Sequence, residues 1–594
     1  MTFLAELKRR NVLRVAAAYI VTAWLIIQVT ETILPQYGLE HHVRSVITVL
    51  AIGFIPAMIL AWALEWTPEG IRLDAGAEAR VDSAAAARSS RKFDRIVIVV
   101  LTLALAWFVY DKLVPPAAEA HYSIAVLPFT NESPDSMPDY LAEGLAGEVL
   151  NLLAKLPELL VIGRSSAFSP EARGAAITDV GKRLGVSHVL TGAVTQIGTG
   201  IRVRARLVDA GSGAALWSRD YSGGVNDVFA IQDEIAGDVL KGLELKTGSS
   251  LPESRRTTPE VLALTLQAKQ LWDIVGDDNG AGMAALLEEA LEIDPYYTPA
   301  MEWMIFANYK LRIHGLISPE EEHERWLKLA GRILAIQPEN ATVHNMFGWE
   351  ALYVDHDLQA AASSYARSIR SEPNHAENLR TAARFAILIG RIDDGIAMID
   401  RSMAIDPLCS LCLYSASKYY MYTGRFEKAE EFRQRFVTLH DGGYFEYGTM
   451  KLLNGKTMEA LDIFEARRVR TAESERVGIG RWHAGLAMAL HDLGRSEESD
   501  QQLALLIEGF GDQDPEGVAK VYAWRNEKDA AFDWLSRYRA QNDPSFTLIL
   551  LDPVYRNLQD DPRWMALRQS LGYSDERLAA LEFPVELLTQ YRDE

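Results

Sequence analysis

RSMAIDPLCSLCLYSASKYYMYTGRFEKAEEF, residues Arg401–Phe432, is the stretch on which the fold turns. Pro407 has no amide hydrogen to donate and disfavours helix in the residue before it, so a helix through RSMAI must stop there. A new helix begins after Asp406–Pro407. Gly424 lies five residues before Ala429, and a small residue at that place lets two helices cross closely. The same landmarks recur outward. EALEIDP ends at Pro295, RILAIQP at Pro338 and RSIRSEP at Pro373, and with Pro407 the spacings are 43, 35 and 34 residues. Ala361 and Gly395 each stand 12 residues before such a proline, and Gly390 and Gly455 stand five before Gly395 and Ala460. A period near 34 without strand patterning predicts a stack of roughly seven helix pairs over residues 259–594, with a long insertion before Pro338.

Upstream the pattern changes to short strands alternating with helices. IAVLPF (Ile124–Phe129) reads as a buried strand bounded by turn residues, with Asp139 as a cap for the helix that follows. Leu141, Leu145, Val149, Leu152 and Leu156 fall on one face of that helix. LLVIGR, HVLTGAVTQ, IRVRARLVD and ALWSRDYSG supply further strands. In the third of these, Ile201, Val203, Ala205 and Leu207 share one face and Arg202, Arg204 and Arg206 the other. Val228, Ile231, Ile235 and Val239 mark a closing amphipathic helix. Residues 121–245 therefore predict a small mixed α/β domain, and 246–258 a linker.

The first 115 residues are different again. Val15–Leu34, Val46–Leu64 and Ile96–Val114 are apolar stretches, the first two long enough to span a bilayer and the third nearly so. They predict three transmembrane helices at about 15–34, 46–64 and 96–114. Lys8, Arg9, Arg10 and Arg14 precede the first, and six basic residues from Arg72 to Arg95 lie between the second and third, whereas the loop between the first two holds only Arg44. The basic segments are expected on the cytoplasmic side, which directs everything after Pro115–Pro116 outward. For a bacterial inner membrane that is the periplasm.

Two resemblances follow from these residues. IAVLPF, LAEGLAGEVLNLLAKLPELLVIGRSSAF, LGVSHVLTGAVTQIGTGIRVRARLVDAGSGAALWSRDY and DVFAIQDEIA together resemble the TolB-like amino-terminal domain of bacterial multidomain proteins. Related chains often begin with a class III adenylate cyclase or a winged-helix domain, and ELKRRNVLRVAAAYIVTAWLIIQV with ALEWTPEGI instead resembles the membrane-anchored variant. YYMYTGRFEKAEEF resembles a tetratricopeptide repeat, and VAKVYAWRNEKDAAFDWLSRY with LDPVYRNLQDDPRWMALRQSLGY the closing repeat of the same bacterial family. The resemblance implies a multidomain chain of transmembrane helices, a non-catalytic TolB-like module and an all-α tetratricopeptide-repeat solenoid.

The chain carries a net charge of −21. The first 115 residues hold 12 Lys+Arg against 10 Asp+Glu, leaving 48 against 71 for the rest. Such an acidic bulk disfavours nucleic acid and favours solubility and basic partners. Cys409 and Cys412, the only cysteines, exclude a disulfide framework, and the absence of a second CxxC or a nearby His pair argues against a four-ligand zinc site. At the start of a helix they read as buried thiols, a structural disulfide or a redox pair. The Arg202, Arg204 and Arg206 stripe reads either as a solvated strand face or as a seat for an anion or an acidic partner. Trp524, Trp534 and Trp564 read as packing residues. NGKT (Asn454–Thr457) lacks the first glycine of a phosphate loop, IGTGIRV is a hairpin turn, and Ser165 and Ser166 have no acid or histidine partner in the sequence nearby. No catalytic residue, cofactor or metal site is nominated. The expectation is a scaffold or adaptor, not an enzyme, binding proteins through its repeats and membrane lipid through its spans. A receptor that senses a ligand through the α/β module is the alternative.

Overall fold

The computed structural model describes residues 122–583 apart from 134–137, 157, 199, 225–226, 244, 246–256, 274–278, 440–443, 471–475 and 542. It also describes Tyr19, Thr22–Trp24, Ile26, Ile27 and two short strands nearer the start. Of the three expected spans only those six residues of the first and Leu64 of the second are described, and the rest, with almost all of the expected linker, lies outside the described residues; among the described residues no helix is long and apolar enough to cross a membrane. The chain divides into two units, Met1–Ala120 and His121–Glu594. In the first, β1 (Leu64–Thr67) pairs antiparallel with β2 (Gly70–Leu73).

The second unit begins with a mixed sheet. Its strands are β3 (Tyr122–Val126), β4 (Thr130–Asn131), β5 (Leu159–Val161), β6 (His188–Ile197), β7 (Gly200–Asp209) and β8 (Ala215–Gly224). Their order is β5-β3-β6-β7-β8, with β4 alongside β6; β3 runs parallel to β5 and β6, and β6-β7-β8 is an antiparallel meander. The α1 (Asp139–Ala154), α3 (Ile177–Leu184) and α4 (Val228–Gly242) helices supply Leu145, Val149, Val180, Ile235 and Val239 to the core against Ile124, Val189, Val203 and Leu207. Val203, Ala205 and Leu207 are fully buried, as strict alternation requires. Asp139 does not cap α1: Pro138 occupies the cap position, and the Asp139 carboxylate accepts a hydrogen bond from Asn131 at 3.0 Å in the first turn, where a negative charge suits the helix dipole.

Eight helix pairs follow among the described residues, against the seven expected. They are α5 (Pro259–Asp273) and α6 (Gly280–Ile293), α7 (Thr298–Ile313) and α8 (Pro319–Ile336), α9 (Ala341–Tyr353) and α10 (Leu358–Ser371), and α11 (Ala376–Leu388) and α12 (Ile392–Ile405). Next come α13 (Ser410–Tyr422) and α14 (Phe426–Leu439), α15 (Tyr444–Leu453) and α16 (Thr457–Arg470), α17 (Arg476–Asp492) and α18 (Ser496–Phe510), and α19 (Pro515–Trp524) and α20 (Lys528–Ala540). The first four second helices end at Ile293, Ile336, Ser371 and Ile405, each two residues before its proline. The intervening Asp294, Gln337, Glu372 and Asp406 share an extended geometry, with φ from −128 to −136° and ψ from 75 to 91°. That is the constraint a following proline imposes. A Cβ on Gly395 would stand 2.5 Å from the Ile387 side chain, which fixes the close crossing of α11 and α12. Two 3-10 segments (Pro544–Leu550 and Pro553–Leu558), α21 (Pro562–Ser570) and α22 (Asp575–Ala579) close the array.

The sheet and the solenoid pack as one body. Leu266 of α5 sits over Gly144 of α1, and Lys269 pairs with Glu148 at 3.0 Å. At the opposite edge, the turn after β5 meets the end of α12, described below.

Candidate functional site: the lining of the repeat groove

The first helices of successive pairs present charged and aromatic side chains at i, i+4 spacing, hence on one face. These are Arg380 and Arg384 on α11, Tyr414, Lys418 and Tyr422 on α13, Glu446 on α15, and Glu516 and Lys520 on α19. The first helices of neighbouring pairs also pack on one another, α9 on α11, α11 on α13, α15 on α17 and α17 on α19, more closely than the second helices do. The stack therefore curves with its first helices inside, and these residues line a concave groove.

Neighbours on the groove wall are tied together. Arg380 donates to Ser415 Oγ at 3.1 Å and pairs with Glu377. The Arg384 guanidinium lies 4.9 Å over the Tyr353 ring, and Lys418 Nζ lies 5.5 Å and 5.7 Å from the Tyr414 and Tyr422 rings. The Tyr414 hydroxyl donates to Glu446 at 3.1 Å, and Lys520 bridges Glu516 (2.7 Å) and Asp552 (3.3 Å). Burial opposes the charged form of Lys418, but Tyr422, Tyr414 and Glu446 reverse that and hold its ammonium above the ordinary lysine range. Burial likewise works against the Glu446 carboxylate, while Arg433 and Lys418 hold it below the usual range. The lining thus keeps its charges at neutral pH. Leu411, 59% exposed at the start of α13, adds an apolar contact seven residues before Lys418 on the same face.

A second constellation joins the module to the repeats. Gly163 N donates to Ile405 O at 2.8 Å, bringing α2 (Arg164–Ala167) against Asp406. The Asp406 carboxylate accepts from Ser165 Oγ at 2.6 Å, from Ser166 N at 2.9 Å and from Ser166 Oγ, whose oxygen in turn accepts from Leu408 N at 2.8 Å. Ser165 and Ser166 do have an acid partner, then, but it comes from 240 residues away and binds them directly, with no histidine between. Burial pushes the Asp406 carboxyl up, against the pull of the Ser165 and Ser166 hydrogen bonds. An apolar cavity of about 100 Å³ lies at the other seam, between Leu141, Leu145, Val203 and Ile231 of the module and Leu262 and Leu266 of α5.

The remaining sequence candidates fall as follows. Arg202, Arg204 and Arg206 are exposed on β7, with Arg204 paired to Asp220 of β8 at 3.3 Å. A disulfide joins Cys409 and Cys412 across the first turn of α13, with Cα atoms 5.2 Å apart. Gly455 of NGKT has φ +72° in the turn between α15 and α16, and Lys456 pairs with Glu430 at 2.9 Å, which leaves no phosphate cradle. Gly198 of IGTGIRV, with φ +60°, follows β6 at the tip of the β6-β7 hairpin. Trp564 is buried, Trp524 donates to Asp492 at 2.8 Å, and Arg537 stacks on Trp534 at 4.2 Å. The groove residues were not singled out in the sequence. A signal existed: Arg380 and Tyr414, and Arg384 and Lys418, are each 34 residues apart, the repeat period itself.

No family model matches the chain. A protein of Rhizobium meliloti (strain 1021) described as putative adenylate cyclase 3 is 35% identical over 187 residues, which is 30% of this chain and 32% of that protein. The chain thus spans about a third of the curated relative it matches. Solved structures with similarity include the thermophilic TPR protein TTC0263 of Thermus thermophilus (16% identical, 32% of this chain and 99% of that one, TM-score 0.27). The APC/C hetero-tetramer Cut9-Hcn1 is 16% identical over 55% of this chain and 63% of that one, with a TM-score of 0.33. The human IFIT1 dimer with PPP-AAAA is 13% identical over 53% and 79%, with a TM-score of 0.31.

Proposed function

We propose that the chain is a scaffold that binds other proteins through the groove of its helical repeats and is held at a bacterial inner membrane by its amino-terminal segment. The observation that carries this reading is the lining itself: Arg380, Arg384, Lys418 and Lys520 alternate with tyrosines and carboxylates on the first helices, a mixed surface suited to an extended or helical peptide. The module is of TolB-like type in this reading and serves as a brace, since its serines are spent on Asp406. A Cys409–Cys412 disulfide favours an oxidising compartment, in keeping with a periplasmic placement of module and repeats.

A photo-crosslinking residue at Leu411 in intact cells is expected to capture a reproducible partner, and Arg384→Glu with Lys418→Glu to abolish that capture while the chain stays folded. Capture that ignores the charge reversal would move binding out of the groove. A carboxy-terminal reporter active only in the cytoplasm would overturn the placement. The seam cavity supports a second reading, a receptor in which a small apolar ligand bound beside Leu145 and Leu266 shifts the module against α5. A module with no apolar ligand in native mass spectra of the detergent-extracted protein argues against it.

A further inference from the structure

Beyond α20 the chain turns back along the solenoid. Pro544–Leu550 packs beside α9, and Tyr573 and Phe583, 2% and 4% exposed, join the apolar cluster of Tyr365 and Phe385. The last described residues follow α22 in alternation: Leu581 packs inward, Glu582 is exposed, Phe583 is buried. One side chain holds the backbone between them. Gln359 Nε2 donates to Glu582 O at 3.1 Å, and Glu582 N donates to Gln359 Oε1 at 3.1 Å. Beside this clamp the Phe583 ring meets Phe385 edge-on, with centroids 5.3 Å apart, and the Arg391 guanidinium lies 5.9 Å from its centre.

A carboxamide that satisfies both the N–H and the C=O of one residue reads an extended backbone without regard to its side chain, while an aromatic slot next to it reads a ring. The next two repeats do not offer this pairing. One and two periods on from Gln359 stand Asp393 and Glu427, carboxylates that accept but cannot donate.

We infer that Gln359, Phe385 and Arg391, at the turns of the third and fourth helix pairs, form a peptide seat that Leu581–Phe583 occupies in cis. The partner it fits in trans is an extended segment with an aliphatic and an aromatic residue on either side of one that is held by its backbone alone. This rests on the reading of the repeats as protein-binding and says where, and for what chemistry, one such site exists. Occupation in cis acts as an effective concentration that a partner must outcompete, so the seat is masked until the strap is displaced.

The probe is a fluorescein-labelled peptide of residues 578–588, LAALEFPVELL, titrated against the full chain and followed by anisotropy. Phe583→Ala vacates the slot and is expected to bind the peptide on the order of tenfold more tightly than the unmodified chain. Adding Gln359→Ala removes that gain, and a peptide with alanine in place of its phenylalanine does not bind. Glu582→Pro, which deletes the N–H that Gln359 accepts, opens the strap by a second route should Phe583→Ala disturb folding. Equal binding by unmodified and opened chains, or a gain that survives Gln359→Ala, overturns the inference. Photo-crosslinking from Leu411 reports on the groove separately, so a failed peptide titration with intact charge-dependent capture removes the seat and leaves the scaffold reading.

Discussion

Asp406 shows how one residue can serve two levels of structure. Because Pro407 follows it, it leaves the helical conformation at φ −136° and ψ 75°, which turns its carboxylate off α12 and toward Gly163–Ser166. Gly163 is needed in return: a Cβ there would stand 2.6 Å from the Asp406 carboxyl carbon. Asp406→Ala strands the buried Ser166 amide and hydroxyl and is expected to cost about 2–4 kcal/mol, read by urea denaturation. The sign of its pH dependence follows from burial. A carboxyl raised above its ordinary 3.8 takes up a proton more readily folded than unfolded, so its contribution is full below that ordinary value and is lost as pH rises through the raised one. Asp406→Asn cannot titrate, so the unmodified chain should gain on it as pH falls through that window; a difference flat with pH would mean the serine bonds cancel the burial. The sequence could not announce this contact. Ser165 and Ser166 stand out as a pair after a strand, but their partner is fixed only by how far the solenoid curves before the fourth proline. The cysteine pair is similar in kind: spacing places both thiols on the first turn of α13, but spacing does not decide oxidation.

At the scale of the element, legibility was high where a local rule acts alone. The repeat-ending prolines, the small residues at crossings and the alternation in β7 each follow from the sterics or pleat of a few neighbouring residues. The turn inside several of the pairs obeys such a rule too. Gly390, Gly424, Gly455 and Gly494 all have positive φ, between 72 and 86°, and in each case the next amide reaches back to a carbonyl five residues earlier in the chain, as Arg391 does to Ala386. This is the left-handed cap that glycine adopts without steric cost. In the last pair Asn526 takes the place at φ +61°, and Glu527 N donates to Tyr522 O at 2.8 Å. Asn526→Gly is therefore expected to stabilise the chain slightly, by up to about 1 kcal/mol, whereas Asn526→Val should destabilise it by at least as much. Thermal unfolding followed by circular dichroism distinguishes the two directions, and a loss of stability in the glycine variant would show that the Asn526 side chain matters more than its backbone.

The whole molecule is where sequence reading fell shortest, because its arrangement depends on summed curvature. Residues 121–245 and 259–594 read as separate domains, yet the module is held by the solenoid at two places, by α5 through Leu266 and Lys269 and by the end of α12 through Asp406. The strap of Leu581–Phe583 had no periodic signature at all. Two clamps on one module make a definite claim about cooperativity. With both intact, opening the sheet without opening the repeats would expose the Gly144–Leu266 contact and leave Asp406 without its donors, so module and repeats should unfold together. Loosening one clamp leaves the other to couple them. Asp406→Ala with Lys269→Ala loosens both, and the module should then open at lower denaturant than the solenoid core. Hydrogen exchange in a denaturant series measures this directly, by comparing amides of β6 with those of α11. In the unmodified chain and in either single variant the two sets should reach a common opening free energy, and in the double variant the β6 set should fall below by about 2 kcal/mol or more. If both sets still converge in the double variant, the module is held by the rest of the α1–α5 packing, and the seam at Asp406 contributes to stability without coupling the two parts.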